Sequence, residues 1–148
     1  MCGFSPVDIE PARLQVGVFR DLYQAEKYSD IYKITSHNFQ KATSEKKFIS
    51  IMFEAREKHL GDYKKSTLKI EKVTHGLFSN NEIALIYFSE YSKRIVQEIF
   101  VFEFESEKIK LKSYRYDSIN CPKIMSKPML GSQWHFTMIL KRLIFHGK

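Results

Sequence analysis

Apolar positions recur with a helical period up to about Leu60 and with a period of two beyond Gly61. From Val7 to about Tyr28, Leu14, Val18, Leu22 and Ala25 fall at i, i+4, i+8 and i+11, with Phe19 and Tyr23 beside them, predicting a helix with one core-facing stripe. Pro11 stands near its start, where a missing N–H costs nothing. A shorter helix is predicted over Tyr28 to Phe39, on Ile31, Tyr32 and Ile34. The third is predicted over about 45–60. Ser44 supplies the N-cap and Glu45 an acid in the first turn; Phe48, Ile51, Met52, Ala55, His59 and Leu60 share a face, and Gly61 gives the left-handed stop.

Beyond Gly61, Leu68 and Ile70 alternate with charged residues, and Ile83, Leu85 and Tyr87 alternate with Ala84, Ile86 and Phe88. Phe100, Phe102 and Phe104 form a third row, and Ile109 and Leu111 a fourth. The breaks "SNNE", "YSKR" and "ESEK" are short and polar, which suits hairpins and an antiparallel meander. The second strand is apolar on both faces and is expected to be central. Helices followed by strands give an α+β domain: three N-terminal helices packed on a four-stranded antiparallel sheet. The chain divides into an N-terminal tether (1–9), the domain (10–117) and a tail (118–148).

Composition supports a filled core: 148 residues suffice for a single one, and 12 Phe and 8 Tyr argue against disorder. The net charge of +7 is lopsided, because no acid follows Asp117 while Lys123, Lys127, Lys141, Arg142 and Lys148 do. The body is therefore nearly neutral, with Lys and Glu interleaved as on solvated strand edges, and no nucleic-acid motif stands out. No apolar run reaches the ~20 residues that span a bilayer. Cys2 and Cys121 lack the spacing of a metal site, and no cofactor is expected.

The order "EKYSDIYKITSHNFQKATSEKKFISIMFEAREKHLGDYKKSTL", followed by four strands ending in "KIKLKSYRYD", resembles a family of small bacterial domains of unknown function. The family lies in the cystatin-like, or nuclear-transport-factor-2-like, superfamily. The resemblance covers roughly residues 10 to 117, and it departs where the last strand has Ile109 and Leu111 in place of a frequent Trp-x-Leu pair. It implies a curled sheet and, for many members, a short envelope protein that is secreted or lipid-anchored. On that reading "CGFSP" resembles the start of a lipoprotein, with Cys2 as the lipidated residue, Met1 preceding the mature start, and the cell envelope as location; without the anchor the domain is expected in the cytoplasm.

The resemblance also implies a cone between sheet and helices, a ligand pocket in some members and an active site in a few. Tyr87, Phe100, Phe102 and Tyr114 could line it, although an aromatic row at strand spacing is more often plain core. Acid/base chemistry needs a buried titratable group, and Glu90, Glu98 and Glu103 are the carboxylates near apolar strand positions; each is expected to face solvent. The five histidines are scattered, and His59 is read as a cation at a helix end. No catalytic residue is assigned. The expected function is a non-catalytic binding or interaction module of the bacterial envelope, taking a protein or small-molecule partner, with homodimerisation through a sheet face open; the alternative is a small-molecule enzyme with an acid/base group in the cone. The tail, with "WHFTMILKRLIF", has three readings: an amphipathic membrane-surface helix, a cover for a neighbour's apolar patch, or an atypical terminus without a role.

Overall fold

The computed structural model describes residues 7–77 and 79–119. Among them, helices precede a four-stranded antiparallel sheet in the order β1-β2-β3-β4, the expected α+β meander. The strands are β1 (Tyr63–Thr74), β2 (Glu82–Tyr91), β3 (Ile95–Glu105) and β4 (Lys108–Ser118). β2 lies between β1 and β3, as its two apolar faces require. The β3–β4 hairpin turns through Ser106 and Glu107, both with positive φ (49° and 66°), the twist that matches a two-residue turn to its flanking strands.

The helices depart from expectation in number and in roll. Four α-helices replace three: α1 (Glu10–Gln24), α2 (Tyr28–Lys33), α3 (His37–Ala42) and α4 (Glu45–Glu54). The segment predicted as one helix over Tyr28 to Phe39 breaks at Thr35, which bridges to Leu111 on β4. The Ser36 N–H donates to the Leu111 carbonyl at 2.8 Å, and the Leu111 N–H donates to the Ile34 carbonyl at 2.9 Å. An edge strand's backbone groups need partners, and a helix running through residues 34–36 could not lend its own. Ser36 then restarts the helix as an N-cap, accepting the Phe39 N–H at 3.3 Å.

The predicted third helix runs as α4 to Glu54 and then widens into a π-helical turn, Ala55–Leu60, which holds His59. Ser44 caps it as expected by accepting the Lys47 N–H. Gly61 stops it at φ 77°, and a Cβ there would collide with the Ser92 side chain, so the turn requires glycine.

α1 lies against the sheet with a stripe different from the expected one. Ala12, Val16, Phe19, Arg20 and Tyr23 are buried, whereas Leu14 is 69% and Val18 41% exposed. Two aromatic rings remove more apolar surface from water than Leu and Val, which favours this roll. Both ends of α1 are tied to the edge strand β1. Arg13 Nη2 donates to Glu71 Oε2 at 2.9 Å, and Gln24 clasps Tyr63, donating to its carbonyl (3.2 Å) and accepting its N–H (2.9 Å).

The core lies between the helices and one sheet face. Ile83, Leu85, Val96, Phe100, Phe102, Leu111 and Tyr114 meet Phe19, Ile31, Phe39, Phe48 and Met52 there, and all are buried. A register shift opposite Val101 and Phe102 sets Lys112 out of step, so that Leu111 and Tyr114, three residues apart, both turn inward. Tethered at both ends, α1 holds its middle turn over the centre of β2 and β3, where the core turns polar.

Candidate functional site

β3 places its inward row at Val96, Glu98, Phe100 and Phe102, so a carboxylate sits in the middle of an apolar strand face. Glu98 is 0% exposed. A carboxylate in such a place is tolerable only with a counter-charge and donors for its oxygens. α1 delivers the counter-charge: Arg20 Nη1 lies 2.5 Å from Glu98 Oε2, and the Arg20 side chain is 7% exposed.

The remaining groups add hydrogen bonds around the pair. Glu98 Oε1 accepts hydrogen bonds from the hydroxyls of Tyr91 (2.6 Å) and Tyr114 (2.5 Å). Arg20 Nη1 also donates to the Tyr91 oxygen at 2.9 Å, so that hydroxyl accepts from the cation and donates to the anion. Arg20 Nη2 donates to Ser89 Oγ at 3.0 Å. The guanidinium stands over the Tyr63 ring at 4.4 Å from its centroid, with Phe100 at 5.3 Å and Tyr87 at 5.6 Å. Ring faces are electronegative, so this aromatic cage stabilises a desolvated cation.

Electrostatics follows the geometry. Burial is the largest single influence and works against the Arg20 charge, but Glu98 together with Tyr91 and Tyr114 outweighs it, and the guanidinium is raised above its ordinary range. Burial, then the neighbouring Glu98 charge, lifts the Tyr91 and Tyr114 phenols well above theirs. Tyr23 and Tyr87 are raised by burial against the pull of Arg56 and Arg20 respectively. Tyr116 is pushed up to about 12 by burial, with Arg94 opposing.

A second polar group borders the first. The Tyr23 hydroxyl donates to the Gly61 carbonyl at 2.8 Å, and Arg56, from the π-turn, donates to the Tyr23 carbonyl (2.8 Å) and to Asp62 Oδ1 (2.6 Å). The wide turn thus aims Arg56 back at α1, with its guanidinium 5.1 Å from the Tyr23 ring centroid.

The structure brings the four expected cone residues together on the helix-facing side. Phe100 packs against Tyr114 (4.9 Å between centroids), Tyr87 (5.9 Å) and Phe102 (6.4 Å), and Phe19 of α1 lies 5.2 Å from Phe100 and 4.8 Å from Tyr114. Tyr87 is half-buried at the rim, and the other three are fully enclosed.

Two of the three carboxylates expected at the surface are not there. Glu98 is enclosed as described, and Glu103 is 6% exposed; Glu90 keeps partial exposure and pairs with Lys65 at 3.4 Å. Glu98 shares the parity of Phe100, Phe102 and Phe104, so the strand alternation itself pointed it inward. Sequence reasoning missed Arg20, Tyr91, Ser89 and Tyr63 as its partners. For Arg20 a signal existed: it stands four residues after Val16 and three before Tyr23, the one cation in the aromatic stripe of α1.

Among the described residues no group of three or more His, Cys, Asp or Glu is arranged to hold a metal. Cys2, the expected lipidation residue, lies outside the described residues, as does the tail from residue 120.

Removing one member of the buried pair leaves the other charged and unpaired. Arg20→Met and Glu98→Gln are each expected to cost about 3–5 kcal/mol in urea unfolding, and the double variant less than the sum of the two. Additive costs would show that the two groups do not interact. The raised phenols carry a second expectation. Above pH ~10 the unfolded chain releases tyrosine protons that the folded protein keeps, so stability is full below pH 10 and falls as pH rises toward and past 12. Resonances of the Tyr91, Tyr114 and Tyr116 rings, followed by NMR, should show ionisation only together with loss of the folded circular dichroism signal; ionisation of these three phenols near pH 10 in the folded protein would contradict it.

No protein-family model matches the chain, and a search of curated proteins gives no match.

Proposed function

We propose that this chain is a non-catalytic binding or interaction module of cystatin-like architecture, tethered to the bacterial cell envelope through Cys2. The observation that carries the non-catalytic part is the state of Glu98. A general base must reach substrate and accept its proton. This carboxylate is 0% exposed, faces Arg20 through one oxygen and receives two tyrosine hydroxyls on the other. Its enclosure and its pairing with Arg20 mark it as a structural anion, with both tyrosine hydroxyls on Oε1 and the Arg20 charge beside Oε2. The location rests on the sequence resemblance and on the likeness of "CGFSP" to a lipidation sequence.

Two measurements test the two parts separately. Carbodiimide coupling of an amine to the native protein, mapped by mass spectrometry, should modify the accessible Glu90 and leave Glu98 untouched until the protein unfolds. Labelling of Glu98 at a rate comparable to Glu90 would show a carboxylate open to small molecules and would favour acid/base chemistry in the cone. Intact mass of the protein isolated from its host should reveal a chain that begins at Cys2 and carries diacylglycerol. A free Cys2 thiol would remove the tether and leave the module without an envelope address.

A further inference from the structure

The helices cover one face of the sheet, and the other face carries an apolar row. Ile70, Ile86 and Ile99 stand abreast across β1, β2 and β3 as successive Cα partners. Phe88 lies in the row on one side, and Ala84 with Val101 in the row on the other. Ile70 is 54% and Phe88 41% exposed, while Ile86, Ile99 and Val101 are half-buried. The patch measures about 10 Å across the strands and about 13 Å along them. Glu103 also has its Cα on this face, opposite Glu82 and Lys110; it is 6% exposed and its Oε1 has no hydrogen-bond partner.

We propose that this face is the docking site of the chain's own C-terminal segment, with "WHFTMILKRLIF" (134–145) laid over the Ile70–Ile86–Ile99 row. The chain leaves the sheet beside it: the Ile119 N–H donates to the Ile95 carbonyl at 3.2 Å, four residues before Ile99 on the same strand. Trp134 follows Ile119 by fifteen residues, a reach of up to about 50 Å, far more than the ~13 Å from Ile95 to Ile99. The segment is rich in large apolar side chains, among them Trp134, Phe136, Leu140 and Leu143. Lys141 and Arg142 supply cations for the face that holds the unpartnered Glu103 oxygen, and the segment brings no acid of its own.

Size separates this occupant from a second copy of the chain. A stable dimer buries roughly 800 Å² per partner, several times the patch, whereas twelve residues span about 18 Å as a helix. A tethered segment also meets its site at an effective concentration in the millimolar range, so a small patch suffices. The inference goes beyond the proposed function and does not depend on lipidation of Cys2.

The chain has one tryptophan, Trp134, and it lies in the docking segment, so its fluorescence reads the proposal directly. In the full-length protein without lipid, Trp134 emission should be blue-shifted and poorly quenched by acrylamide, unchanged on dilution. Ile86→Lys should move the emission to the red and raise the quenching constant several-fold. Ile70→Lys, at a more exposed position on the edge strand, should do the same if Ile86→Lys impairs folding. Four outcomes overturn the proposal: emission already water-like in the free protein, a blue shift seen only with phosphatidylglycerol vesicles, shielding that disappears on dilution, or shielding untouched by both substitutions. The second would assign the segment to a membrane surface and the third to a second copy.

Discussion

The ion pair between Arg20 and Glu98 sets the terms for the rest of this structure. Each group sits among aromatic rings, where an isolated charge would be costly, and each removes that cost for the other only while α1 keeps its roll and β3 its register. A one-residue slip of β3 would turn Glu98 to the outer face and leave Arg20 without its anion. A different roll of α1 or register of β3 would leave one of the two buried charges without its partner. The two tyrosine hydroxyls matter for the same reason: Tyr91 closes β2 and Tyr114 lies in β4, so three strands contribute to one carboxylate shell.

Around that centre, backbone groups are satisfied by local interruptions of regular structure. Breaking the helix at Thr35 gives the edge of β4 two hydrogen bonds at Leu111, and the π-turn directs Arg56 to the Tyr23 carbonyl and to Asp62. The Ser92 hydroxyl accepts the Asp62 N–H at 2.9 Å, joining the helix stop at Gly61 to the β2–β3 hairpin. Each irregular segment thus binds a helix to the sheet at a point where a regular element would have left polar groups unpaired.

The two sides of the sheet then take different roles. Among the described residues, the helix-covered side fully buries one strand carboxylate, Glu98, which is engaged by Arg20 and two hydroxyls. The outer side offers an apolar row of its own.

Much of this architecture was legible in the chain. The change of period after Gly61, the Ser44 cap, the polar breaks between strands and the order of helices before strands are local signals, and local physics fixes them: side-chain alternation, capping donors and the positive φ that glycine accepts. Glu98 was legible too, through its parity with Phe100, although its neighbours in sequence suggested solvent. What only the tertiary structure decided was which stripe of α1 faces inward, where the second helix divides, and why Glu103 is buried on the outer face. Leu14 and Val18 form as good a stripe as Val16, Phe19 and Tyr23 by period alone. The choice between them rests on the ring surface of Phe19 and Tyr23 together with the anion that β3 presents to Arg20, and no pattern along the helix itself records that charge across the core.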